Sequence, residues 1–388
     1  MPPKPWPAGP TPVPTPDAFA LGAAALAELI GPLSAADDAL ARLDERLRNS
    51  SVRDGLIART DFAEACAALW AEGELVQLED LVLHDAGMDI RSPSHELVQA
   101  HAYLRLRRKA ARGDPKTLLS PTGILTLVGR TAAHRGAGDF AEGAGGLDAA
   151  GPPEPGRGSN SFGQEVTAQT TTLTAQNTAP ALPRRVDQTT AAAPSKDYFV
   201  YHEDWDEEAH LGAWCASLGA ADRLPPILGA LGLALTWQAG EPLQRQARIA
   251  PLLAGLYLRR CRRTNAHLVS FNLGLRSLRP PPRRARTSLE QLRHGLATVE
   301  AGARETLAQH DRLMLARQVL ERKCRGRREN SKMPRLAGLL LNSPLVSVPM
   351  IAQNLEISQQ AAQMLVENMG STLREITGRR RYRAWTIG

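Results

Sequence analysis

Apolar residues recur at helical spacing along most of this chain, as in Leu40, Leu43 and Leu47, and that periodicity is the strongest limit on its fold. Hydrophobic residues make up 43% of the 388, yet aromatic ones only 4%, with 32 glycines and 28 prolines as punctuation. That balance predicts a mainly α protein, built of Ala/Leu-rich helices joined by loops. The length allows two or three domains with a substantial core.

Taken in order, residues 1–17 are too rich in proline for helix or central strand and are read as a disordered or extended arm. Residues 18–135 form an N-terminal helical part. Its helices are expected from Ala18 onward, from Asp61 to Ala71, over the amphipathic run 75–90, and after a Ser94 cap. Residues 136–195 turn to Gly, Pro, Thr, Ala and Gln without period. They cannot bury enough apolar surface to order themselves, so they are read as a linker or disordered insert. A central helical domain occupies 196–330, with helices expected at 211–218, 226–237, 249–260 and 288–325. The last of these is polar on most faces and long enough to bridge the central domain to the C-terminal module. Arg279 to Arg286 reads as a stiff basic connection before it.

The charge of +7 fits a polyanionic partner, and equally a solvated basic surface. Arg105, Arg107, Arg108, Lys109 and Arg112 gather at one helix C-terminus, where cations complement the helix dipole; phosphate binding is the alternative for that cluster. Cys66, Cys215, Cys261 and Cys324 lie far apart with no ligand spacing, as reduced and mostly buried thiols do. His84, His95, His101, His267 and His294 are read as surface or hydrogen-bonded core residues. Asp204, Asp206, Glu207 and Glu208, near His202 and His210, read as a solvated helix start. No metal, cofactor, nucleotide-loop or serine-hydrolase pattern is legible. With no signal sequence and no apolar run of membrane-spanning length, the expectation is a soluble cytoplasmic protein without membrane contact.

Residues 331–388 carry the clearest functional pattern. An apolar helix over 336–341 breaks at Asn342-Ser343-Pro344, and Ser347 caps a short helix with Met350, Ile351 and Leu355 on its apolar face. A tight turn at 355–357 leads to a second helix opening at Ser358, and strand-like runs flank Gly378 to Arg380. This order is that of a winged helix-turn-helix, whose second motif helix enters the DNA major groove. In that helix Ala362, Leu365 and Met369 are expected to face the core. Ser358, Gln359, Gln360 and Gln363 are expected to face DNA, because amides can bond adenine N6 and N7 in bidentate fashion. Arg374, Arg379, Arg380, Arg381 and Arg383 supply a basic wing, arginines outward and Tyr382 and Trp385 inward.

The run Thr236 to Arg276 resembles the core of the Fic family, enzymes that transfer AMP or related groups to protein hydroxyls. In that family's loop a histidine is the general base, an acidic residue holds the metal and a glycine-rich backbone cradles phosphates. Here Glu241 stands at the histidine, Pro242 matches, Leu243 replaces a phenylalanine and Arg245 stands at the metal carboxylate. Gln246-Ala247 replaces the glycine cradle, and Arg248 matches the motif arginine. Glu72-Gly73 matches a helix tip whose glutamate, in the family, pairs with that arginine and obstructs nucleotide binding; the resemblance implies a Glu72–Arg248 ion pair. It covers much of residues 20–278 and implies a degenerate, catalytically silent loop with no cofactor. More closely, the chain resembles an uncharacterised bacterial family, seen on rhizobial-type replicons, that joins a domain of unknown function to a C-terminal helix-turn-helix.

The expectation is therefore a regulator binding double-stranded DNA, with the helical front part serving dimerisation, sensing or partner contact. Two alternatives stay open: a nucleotide transferase with an accessory winged helix, and a winged helix that contacts protein.

Overall fold

Side-chain caps start seven of the fifteen described α-helices. The computed structural model describes residues 21–89, 91–130, 205–278, 287–326, 331–377 and 383–387, with Phe19 and Ala285. The expected arm at 1–17, the insert at 136–195 and most of the basic connection at 279–286 lie outside the described residues.

The N-terminal helices are α1 (Ala23–Arg48), α2 (Arg53–Ala71), α3 (Leu78–Asp85), α4 (His95–Arg112), α5 (Pro115–Leu118) and α6 (Pro121–Leu127). The central ones are α7 (Glu207–Ala216), α8 (Leu218–Ala221), α9 (Pro226–Gly240), α10 (Ala250–Arg260), α11 (Phe271–Ser277) and α12 (Ser288–Cys324). The C-terminal part holds α13 (Met333–Asn342), β1 (Val346–Ser347), α14 (Val348–Leu355), α15 (Gln359–Met369), β2 (Leu373–Glu375) and β3 (Ala384–Ile387). The fold is mainly α.

Ser94 caps α4 by accepting from the Leu97 N–H, and Asp206 starts α7 by accepting from that of Ala209. Asp206, Glu207 and Glu208 thus form a helix start, as read, while Asp204 lies outside the described residues. Thr287 and Glu290 make a reciprocal capping box on α12. That helix has 37 residues, roughly 55 Å at 1.5 Å per residue. Leu292, Leu296, Val299, Ala303 and Leu313 join the main core with α1, α9 and α10, whereas Leu320 joins the core of the C-terminal module. It spans from one to the other.

Helix α2 begins eight residues before the expected Asp61. Gly55 hides the start, since glycine weakens helical patterning. Its reason is spatial: it lies against the α13 backbone, where a Cβ would stand 2.9 Å from the Leu341 carbonyl carbon. Four residues on, Arg59 donates from Nη1 to the Pro344 carbonyl (3.0 Å) and from Nη2 to the Leu340 carbonyl (2.6 Å). Burial pushes this guanidinium down to about 10, still charged at neutral pH. Gly55 and Arg59 together seat the C-terminal module on α2.

The sheet has the order β1-β3-β2, antiparallel throughout, with Val346 opposite Trp385 and Arg374 opposite Thr386. Strand β1 and the start of β3 are covered on both faces. Ala384 and Leu345 pack with Phe62, Leu69, Val82 and Tyr103 of α2–α4, while Val346 and Trp385 pack with α13, α14 and α15. Neighbours along one strand are therefore both buried, as in any sheet sandwiched between layers.

Arg107, expected among cations at a helix end, is instead 2% exposed. Its Nε donates to Asp61 Oδ1 (2.6 Å), Nη1 to the Val269 carbonyl (3.0 Å) and Nη2 to the Leu268 carbonyl (2.7 Å). Nearby, Glu64 accepts from the N–H groups of Asn272 (3.0 Å) and Leu273 (2.7 Å). This network ties the 268–273 segment to α2 and α4, and every member is hydrogen-bonded, as burial demands.

The cysteines are free. Cys66 is buried, but the other three are only half-buried, less than expected.

Candidate nucleic-acid interface

Helices α14 and α15 are joined by Glu356, Ile357 and Ser358. Glu356 takes φ 55°, the left-handed conformation that ends α14, and the Ile357 N–H closes back on the Ala352 carbonyl at 3.0 Å. Ser358 then caps α15, its Oγ accepting from the Ala361 N–H at 3.2 Å. Two short helices are thus fixed across a three-residue turn.

Ala362, Val366 and Met369 anchor α15 in the module's core, with Leu365 half-buried beside them. Val366 thus takes the central place expected of Leu365. The Lys323 ammonium at the end of α12 donates to the Met369 carbonyl and holds the far end. Facing outward are Ser358, Gln359, Gln360, Met364 and Glu367. Gln363 is half-buried, and its Nε2 donates to Glu367 Oε1 at 3.0 Å. Met364, 58% exposed in the middle of this stripe, was missed by sequence reasoning. Its position four residues after Gln360 was the available signal.

The strands add charge beside this stripe. Arg374 projects from β2 and is exposed. Arg383, exposed just before β3, donates from Nε to Glu375 Oε2 (2.8 Å), and its guanidinium lies 5.2 Å from the Trp385 ring centre. That bond holds the Glu375 carboxyl below its ordinary pKa. Arg379, Arg380 and Arg381 lie outside the described residues. Residues 333–387 carry six arginines against three glutamates, a net positive module with one glutamate tied to Arg383.

The Fic-like residues lie apart from this surface, between α9 and α10. Glu241 and Arg245 both adopt left-handed φ, 40° and 61°, an unusual state for two side-chain-bearing residues. Pro242 and Leu243 are buried between the helices, and the Trp237 Nε1 donates to the Gln246 carbonyl at 2.8 Å, fixing the loop. Arg248 reaches Glu72 at the end of α2, with Nε 2.7 Å from Oε1 and Nη2 on Oε2, and Nη1 donates to Gln99 at 3.2 Å. Glu72 and Arg248 are thus brought together. Among the described residues no cluster of three or more His, Cys, Asp or Glu could hold a metal, and no helix is long and apolar enough to cross a membrane.

Comparison with known proteins accords with this geometry. Residues 199–325 match a family described as "Protein of unknown function (DUF1612)", and residues 333–387 match "HTH DNA binding domain". The chain is also 39% identical to the "Uncharacterized protein y4cF" of Sinorhizobium fredii over 386 residues, covering 95% of this chain and 100% of that protein. Similarity at that level over the whole length, through both regions, places this chain in the family of the S. fredii protein, with a helix-turn-helix DNA-binding domain at its C-terminus.

Proposed function

We propose that the chain is a transcriptional regulator of double-stranded DNA, with α15 as its recognition helix and the β2–β3 hairpin as a wing. The observation that carries this reading is the outward stripe of Gln359, Gln360 and Met364 on a helix whose other face is anchored in the core. Near the helix N-terminus, the two amides reach adenine N6 and N7, while Met364 offers an apolar contact to a thymine methyl. The Ser358 oxygen is engaged as a cap, so its hydroxyl proton is left to donate to a phosphate. Gln363 reads a base only by exchanging its bond to Glu367. Arg374 and Arg379 to Arg381 carry the wing's phosphate contacts. Arg383 holds the hairpin through Glu375 and Trp385 and is mainly a positioning residue.

The helical body serves dimerisation, sensing or partner contact. Full-length protein incubated with a random duplex pool is expected to enrich a defined site, with affinity falling linearly in log salt. A two-fold symmetric footprint, with half-sites roughly 34 Å apart, is expected of a homodimer. Failure to enrich any DNA refutes the reading and points to a protein-contacting module.

The Glu72–Arg248 pair supports a distant kinship of the body with Fic-like scaffolds, because it is the contact that the resemblance implies. The loop does not fit that family's chemistry. Arg245 cannot ligate magnesium, and a carboxylate at Glu241 is a weaker general base than the histidine it replaces. Labelled-AMP transfer that vanishes in Glu241→Ala would overturn a catalytically silent body.

A further inference from the structure

A cavity of about 120 Å³ lies between α2, α4, α10 and the 265–268 segment, sharing no lining residue with the α15 surface or the Fic-like loop. We propose that it is a binding site for a small organic carboxylate, and that it is the chain's effector site. The site itself rests on its own geometry; only its effect on DNA rests on the regulatory reading above.

Charge gives the ligand class. Arg53, Arg107 and Arg259 line the cavity against a single carboxylate, Asp61, which is already bonded to Arg107. Neither Arg53 nor Arg259 forms an ion pair among the described residues. Arg53 uses Nε and Nη2 on the Ala266 carbonyl (3.2 and 3.0 Å), leaving Nη1. Arg259 uses Nη1 on the carbonyls of Ala110 and Ala111 (3.2 and 2.8 Å), leaving Nη2. Two guanidinium groups pre-positioned by backbone carbonyls, with donors to spare, are suited to a carboxylate.

A second observation is independent of the arginines. His267 also lines the cavity with its side chain only 7% exposed. Its Nδ1 stands 3.3 Å from Asp44 Oδ1, yet neither ring nitrogen has a hydrogen-bond partner. A buried imidazole nitrogen without a partner is costly, and a carboxylate satisfies it when the ring takes up one proton on binding, so that Nε2–H donates to a ligand oxygen. Leu47, Leu56, Ile57 and Leu268 give the wall an apolar part, beside the uncharged polar Thr60, Asn265 and Thr306. Size sets the limit: an engineered cavity of roughly 150 Å³ holds benzene, so this one admits about five non-hydrogen atoms. Propionate has that count, an anionic head and a short apolar tail.

Placement makes the site an effector site. Helix α2 supplies Arg53, Leu56, Ile57, Thr60 and Asp61 to the cavity, while its Gly55 and Arg59 hold α13 and the Pro344 turn that precedes β1. A ligand that stiffens or shifts α2 therefore acts directly on the seat of the helix-turn-helix.

The test is calorimetric titration of the full-length protein with sodium propionate, using propionamide as the neutral isostere. The expected result is saturable one-to-one binding of propionate, at least tenfold weaker binding of propionamide, and at least tenfold loss in Arg53→Gln. Ile57→Phe, which fills the cavity without removing a charge, is expected to lose binding as well. In the wild-type protein, propionate is expected to slow amide exchange across residues 53–61, and this holds the proposal to account if a variant does not fold. Absence of saturable propionate binding, equal binding of propionamide, or unchanged exchange in α2 overturns it. Propionate binding that leaves DNA affinity unchanged overturns the effector role while sparing the site, and loss of DNA binding alone leaves the titration untouched.

Discussion

Replacing Gly55 with alanine drives a methyl group into the backbone of α13. The new Cβ would overlap the Leu341 carbonyl oxygen, stand 2.9 Å from its carbon and lie 3.3 Å from Asn342 Cα. Backbone cannot rotate out of the way as a side chain can, so the steric cost belongs in the upper part of the usual overpacking range of about 1–3 kcal/mol. Alanine returns about 1 kcal/mol of helix propensity. The net expectation is a destabilisation of about 1–2 kcal/mol. Gly338→Ala in α13 is the internal control, since nothing lies within 4 Å of its Cβ position. There only the propensity gain remains, a stabilisation of about 0.5–1 kcal/mol. Urea unfolding of the two full-length variants, followed by helical circular dichroism, measures both. Opposite signs are expected. If Gly55→Ala stabilised the protein as Gly338→Ala does, α2 and α13 would not be in backbone contact, and the module's seat would have to be placed elsewhere.

Arg107→Met removes the cation from the network with Asp61 and Glu64 and is expected to cost about 3–5 kcal/mol, read as a shift in the urea midpoint. Asp85 is the pH-sensitive group. Burial alone would raise its pKa, but hydrogen bonds from His101 and Arg108 outweigh it and lower the value to about 2. A depressed carboxyl contributes stability above its unfolded value near 3.8 that is lost as pH falls through about 2, so Asp85→Asn is expected to flatten the acid-unfolding limb in that window. Arg374→Gln is expected to weaken DNA binding evenly across sequences and to lower the slope of log K against log salt by about 0.9, measured by fluorescence anisotropy.

What sequence reading recovered here is what short-range chemistry determines. Ser94, Ser347 and Ser358 each cap the helix they precede, because a cap needs only its own next turn. The helix-helix-turn-helix-strand order of residues 331–388 followed from such signals. Tertiary contacts overrode local expectation elsewhere. Sequence patterning places the start of α2 at Asp61, and the helix begins earlier, around a glycine kept for close approach to α13. Arg107 looked like one more surface cation and is a buried network centre. Near the hairpin Arg383 is exposed and Trp385 buried, while Ala384 is buried too, because β3 lies between α2–α4 on one side and the helix-turn-helix core on the other. Met364 went unread because a methionine at helical spacing resembles core, and only the packing of Val366 reveals which side of α15 faces out.

The reading head itself is tested most directly by comparing Gln359→Ala/Gln360→Ala with the parent protein on the selected site and on a scrambled duplex of equal length. The expected result is a loss of roughly 1–3 kcal/mol for each bidentate amide contact on the selected site, with scrambled-duplex affinity unchanged. A double variant that keeps the parent's preference for the selected site would contradict α15 as the helix that reads DNA.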